Sequence, residues 1–126
     1  VSQPKLASRL YRLKPMYEIN SIAVLTVFEL LKNEELVKKY LRETSQGKRY
    51  LISNLNSLNF NHLKSYANFL HIDFGRKKKI AEKLFDKEKI LVKGGPGVRG
   101  FKNYLRITLG PTQQMKKVVN ILKKIR

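Results

Sequence analysis

The chain has 126 residues, enough to bury one core without cross-links, and 42% of them are apolar, which excludes a disordered tail. With no cysteine and only two histidines, His62 and His71, disulfides, thiolate chemistry and a histidine-rich metal site are excluded; no metal and a reducing, cytoplasmic setting are expected. The 27 Lys and Arg outnumber the 9 Asp and Glu to give a net charge of +18, which attracts polyanions. These cations are dispersed, with short runs at Arg76 to Lys79, Lys116-Lys117 and Lys123 to Arg126, and no recognition motif accompanies them. Nucleic acid is therefore expected to bind only non-specifically, to a solvated basic surface.

The chain opens Val1-Ser2-Gln3-Pro4-Lys5, without an initiating methionine or an apolar signal core, and so reads as the cut end of a longer chain. Residues 1–14 are polar and basic, and Pro15 restricts the residue before it, which predicts a connector there. Asn20 or Ser21 can cap the next helix, in which Ile22, Leu25, Val27, Phe28 and Leu31 supply apolar surface on several sides up to Asn33. That breadth predicts a mostly buried helix. The longest apolar stretch, Ile19 to Leu31, is broken by Asn20, Ser21, Thr26 and Glu29 and falls short of the about 20 residues a membrane helix needs. No membrane partner is expected, and the protein should be soluble.

From Glu34 the apolar pattern narrows to one stripe, Leu36, Tyr40, Thr44, Gly47, Leu51, Leu55 and Leu58, which predicts a long amphipathic helix. Gly47 inside it costs about 1 kcal/mol relative to alanine, so close packing or a bend is expected at that point. Ala67 to Phe74 alternates, with Asn68, Leu70, Ile72 and Phe74 on one side and Phe69, His71 and Asp73 on the other, which predicts a strand ended by Gly75. Asn68 should then enter the core, where its amide must find partners. A short helix over Lys77 to Asp86, with Ile80, Ala81, Leu84 and Phe85 inward, precedes a strand over Lys89 to Lys93. The run Gly94-Gly95-Pro96-Gly97-Val98-Arg99-Gly100 reads as a loop. It lacks the lysine-serine or lysine-threonine ending of a nucleotide-binding loop, and its composition suits a gate over a ligand. A strand over Tyr104 to Leu109 stops at Gly110-Pro111, and Thr112 is a plausible cap for a last helix carrying Met115, Val118, Val119, Ile121, Leu122 and Ile125. The expected fold is α+β, a small sheet of three to four strands layered with helices and preceded by a long helical segment.

The segment Tyr104-Leu105-Arg106-Ile107-Thr108-Leu109-Gly110, followed by a terminal amphipathic helix, resembles the closing signature of histidinol-phosphate aminotransferases and their relatives of pyridoxal-phosphate fold type I. In matching order upstream stand Lys14-Pro15-Met16-Tyr17, Gly47-Lys48-Arg49-Tyr50-Leu51, Ser65-Tyr66-Ala67-Asn68-Phe69-Leu70, and Ile90-Leu91-Val92-Lys93 before the glycine loop. The resemblance runs from about Leu10 to the end. It implies that residues 1–33 continue from a large domain and that residues 34–126 form the family's C-terminal small domain.

The resemblance also implies a set of substrate-binding residues. Arg106 takes the place of the arginine that pairs with the substrate α-carboxylate, a role suited to a guanidinium because its parallel N–H donors match two carboxylate oxygens. Lys93 stands where these enzymes commonly carry an arginine for the substrate phosphate; lysine keeps the charge and loses the fork, so a phosphorylated substrate is left open. Arg99 could supply the missing guanidinium, and Asn68 matches a recurrent asparagine near the cleft. Met16 and Tyr17 suit a packing elbow. Nothing in the chain matches the S-K-x-x-G-L-x-G-x-R stretch around the Schiff-base lysine, and Ala7-Ser8-Arg9 falls after its place. No catalytic or cofactor-binding residue is therefore expected here: pyridoxal phosphate belongs to the large domain. The implied activity is amino transfer between an amino acid and a 2-keto acid by a homodimer, with this portion inactive alone. A decarboxylase on the same fold, or a basic nucleic-acid-binding module, is the alternative.

Overall fold

A computed structural model describes residues 3–13, 20–95 and 100–126, which fall into two compact units, 1–37 and 38–126. The first holds α1 (Pro4–Arg12), α2 (Ser21–Lys32) and the start of α3 (Glu34–Ser57). Proline opens α1, where its missing N–H is no loss, and Leu6 and Leu10 lie among Lys5, Arg9 and Arg12. Asn20 caps α2 as expected, its Oδ1 accepting from the Ile22 N–H at 2.8 Å. The expected burial of α2 is not found within this chain: none of its residues is buried, and Leu25 and Phe28 are 67% and 59% exposed. Apolar surface all round a helix calls for partners on every side. The described residues do not supply them.

In the second unit Gly47, Leu51 and Leu55 are the buried positions of α3. Gly47 is there for closeness, since a Cβ at this position would meet the Gly110 carbonyl oxygen at 1.9 Å. The helix ends on Asn59 in the left-handed region (φ 57°), with Phe60 N–H donating to Leu55 O and Asn59 N–H to Asn56 O, a Schellman closure. Residues 61–63 then run beside the first strand, with a bridge between His62 and Ile72 and the Leu63 N–H on His71 O.

The sheet has three antiparallel strands, β1 (Phe69–Asp73), β2 (Lys93–Gly94) and β3 (Tyr104–Thr108), in the order β1-β3-β2. Alternation puts Leu70, Ile72, Leu105 and Ile107 on the buried face, where they join one core with Phe74, residues of α3, and those of α4 (Lys78–Lys87) and α5 (Thr112–Ile125). Ala81 and Phe85 come from α4, and six residues from α5: Met115, Val118, Val119, Ile121, Leu122 and Ile125. Phe74 meets Phe60 and Phe85 in tilted and edge-on contacts at 5.6 and 6.2 Å between ring centres. Helices on one face of a small sheet give the expected α+β architecture.

Several local expectations differ. Ile80 is 54% exposed rather than inward. The strand expected over Lys89 to Lys93 is only Lys93–Gly94, because Lys89 (φ 55°) is the left-handed stop of α4: Ile90 N–H donates to Phe85 O and Lys89 N–H to Asp86 O, repeating the closure of α3. A chain turning there cannot be extended. Thr112 is the first residue of α5 and Pro111 its cap, one position earlier than expected and without a side-chain bond. At the other end, the Lys77 ammonium donates to the carbonyls of Ile125 and Arg126, a cation at the negative end of the helix dipole. Among the described residues no helix is long and apolar enough to cross a membrane.

Candidate functional site

The face of the sheet away from the core carries the polar side chains. Alternation along β3 that buries Leu105 and Ile107 turns Arg106 to this side. As β3 is the central strand, Arg106 has a cross-strand partner on each flank, His71 in β1 and Lys93 in β2. Directly opposed residues share a face, so imidazole, guanidinium and ammonium stand in one row across the sheet. Beside this row lies a shallow cavity of about 310 Å³ whose described lining is Leu91, Val92, Lys93, Arg106 and Thr108.

Among the described residues no hydrogen bond or ion pair engages the Arg106 guanidinium; it lies over the Phe69 ring, 5.1 Å from the ring centre. Phe69 in turn meets His71 edge-on at 5.4 Å, with the planes 81° apart. The neighbouring acid, Asp73, is used elsewhere: its Oδ1 accepts from the Gly75 N–H at 2.9 Å, closing the turn after β1. Like charges directly opposite across strands oppose pairing, so the Arg106 and Lys93 row carries a cost that an anion would relieve. A guanidinium with its donors unspent is suited to take that anion in a two-point grip, and the lysine beside it adds attraction without direction.

The structure thus brings together two of the four substrate-binding residues expected from sequence, Arg106 and Lys93. Asn68 corrects its expectation of burial: it is exposed, and it contributes its backbone carbonyl, which accepts from the Leu109 N–H at 2.7 Å and extends the β1–β3 pairing by one step. Arg99, Met16 and Tyr17 lie outside the described residues, as does most of the glycine loop expected to gate the site. Gly94 belongs to β2, and Gly95 passes so close to the Phe101 carbonyl that a Cβ would clash. Sequence reasoning placed Phe69 and His71 on the same side of their strand but missed that they meet Arg106. The diagonal contact depends on the register between β1 and β3, which only the strand spacing hints at.

Pyridoxal phosphate needs a lysine, an acid for its ring nitrogen and donors for its phosphate. The described lining of the cavity holds one lysine and no carboxylate, so these residues do not fit that cofactor. No group of three or more His, Asp or Glu among the described residues could hold a metal ion.

The family Aminotransferase class I and II matches residues 1–122. A histidinol-phosphate aminotransferase of Moorella thermoacetica is 27% identical over 125 residues, which cover 99% of this chain and 32% of that protein. One from Leptospira interrogans is 33% identical over 130 residues, covering 98% and 34%. The chain therefore spans about a third of the length of these relatives. The crystal structure of histidinol-phosphate aminotransferase from Sinorhizobium meliloti in complex with pyridoxal-5'-phosphate superposes with a TM-score of 0.73 at 19% identity, covering 99% of this chain and 35% of that one. It shares the fold. With the family matched over nearly every residue, the chain belongs to the class I and II aminotransferases.

Proposed function

We propose that the intact protein transfers an amino group between an amino acid and a 2-keto acid, with Arg106 receiving the α-carboxylate that both substrates share. The observation that carries this reading is the unspent guanidinium of Arg106 beside Lys93, on an open sheet face with no carboxylate in the described lining. Lys93 would attract a second anionic group of the substrate, a phosphate among the choices. Arg99 and Asn68 are secondary contacts in this reading. Pyridoxal phosphate, bound in the Sinorhizobium meliloti relative, would be held by parts of the protein other than these residues. Residues 34–126 would then form the small domain, and residues 1–33 the lead from the rest of a cytoplasmic homodimer.

In the intact enzyme, Arg106→Ala should lower kcat/KM for carboxylate substrates by about two orders of magnitude, the scale of a charged hydrogen-bonded pair lost from a closed site. An unchanged kcat/KM would make Arg106 a bystander. The 126-residue chain alone, mixed with pyridoxal phosphate and an amino acid, should show no visible band from a lysine-bound cofactor and form no keto acid. A band that responds to the amino acid would place the cofactor site in this chain and overturn that part of the reading.

A further inference from the structure

The Phe69 ring is hard to account for as packing. It is half-buried on the sheet face away from the core, and it is absent both from the core cluster and from the partly buried side chains packed against that cluster. Its ring contacts among the described residues are the Arg106 guanidinium at 5.1 Å and the His71 ring at 5.4 Å. The backbone explains how they meet. Phe69 pairs with Thr108 and His71 with Arg106, so Phe69 and Arg106 are diagonal neighbours on one face, within reach of an aromatic and a long side chain.

An arginine side chain has many rotamers, and one that must lose them on meeting its ligand binds more weakly than one already held. A salt bridge to a neighbouring acid would hold it but would occupy the donors. An aromatic face holds it differently: the ring quadrupole attracts the cation through the flat side of the guanidinium and leaves the N–H groups at its rim free. We infer that Phe69, steadied edge-on by His71, is a positioning residue that holds the Arg106 guanidinium ready for a substrate carboxylate. This rests on the reading of Arg106 given above, and deepens it: the same strand pair that builds the sheet supplies both the carboxylate-binding group and its support.

The test uses the intact protein, its arginines isotope-labelled, with pyruvate as the carboxylate probe. The Arg106 Nε–H proton should resonate upfield of an ordinary arginine because the Cζ atom bonded to that nitrogen lies over a ring face. Phe69→Tyr keeps the ring and should keep both the upfield position and the pyruvate affinity. Phe69→Leu should return the proton to an ordinary position and weaken pyruvate about 3- to 10-fold, the scale of one cation–π contact. Backbone amide spectra report whether each variant folds, and Phe69→Met replaces the leucine variant if that one does not. Loss of the upfield shift with weaker binding in the ringless variant, rescued by tyrosine, is a pattern that general destabilisation would not give. An ordinary Arg106 shift in the unaltered protein, or unchanged pyruvate affinity in the ringless variant, overturns the inference. Arg106→Ala separates the two readings: if it binds pyruvate as the unaltered protein does, the carboxylate role itself fails. If it loses binding while Phe69→Leu does not, only the positioning role fails.

Discussion

Helices α2 and α5 are both rich in aliphatic side chains, yet six residues of α5 are buried and none of α2. The difference lies in arrangement. Met115, Val118, Val119, Ile121, Leu122 and Ile125 fall on one side of α5, and Lys116, Lys117, Lys123 and Lys124 remain exposed, so one core suffices to satisfy the helix. In α2 Ile22, Leu25, Val27, Phe28 and Leu31 point in several directions, and all are more than half exposed. A striped helix carries the instructions for its own burial. A uniformly apolar one states only that it needs company.

Substitutions on the two helices should reflect that contrast. Leu122→Ala removes a side chain with no exposure and should cost about 2–5 kcal/mol in chemical unfolding of the chain, the cost of a core cavity. Gly47→Ala, on the helix that seats the start of α5, should cost about 1–3 kcal/mol, because the new methyl group meets a backbone carbonyl that has little room to retreat. Lys89→Gly should act in the opposite direction, raising stability by up to about 1 kcal/mol, since glycine adopts the left-handed stop of α4 without strain. The smallest effect belongs to α2: Leu25→Ala should shift stability by under about 0.5 kcal/mol. A cost at Leu25 comparable with that at Leu122 would break the comparison and show α2 to be packed in solution.

The sequence legible at short range was the pattern within each element. The stripe of α3 marked Gly47 as a point of close packing or of a bend, of which the structure shows the first, and alternation in β1 and β3 separated the core side from the side bearing His71 and Arg106. Expectation failed where a backbone choice overrode composition. Ile90, Leu91 and Val92 look like strand residues, but the left-handed Lys89 and the bond from Ile90 back to Phe85 leave Leu91 98% exposed in a connection. At Asn68 alternation extended one residue too far, and the backbone alone continues the pairing. In the site, Arg106 was visible through resemblance, whereas its support by Phe69 is a diagonal contact between residues 37 positions apart, set by a strand register that local pattern does not encode.

The Gly110 carbonyl, two residues past the end of β3, rests on Gly47 of α3. Alternation forbids a one-residue slip between β1 and β3, which would turn the core side chains to solvent, but tolerates a slip of two, which keeps every side chain on its face. Such a slip would set Arg106 opposite Asp73 in one direction or Phe69 in the other, and the first would invite an ion pair that occupies the guanidinium. Gly47 is the sole glycine of α3, so the end of β3 can rest this deeply at one height along the helix. That one seat fixes the height of the end of β3 along α3, and the native register against β1 is the alignment that sets Arg106 opposite His71 rather than Asp73.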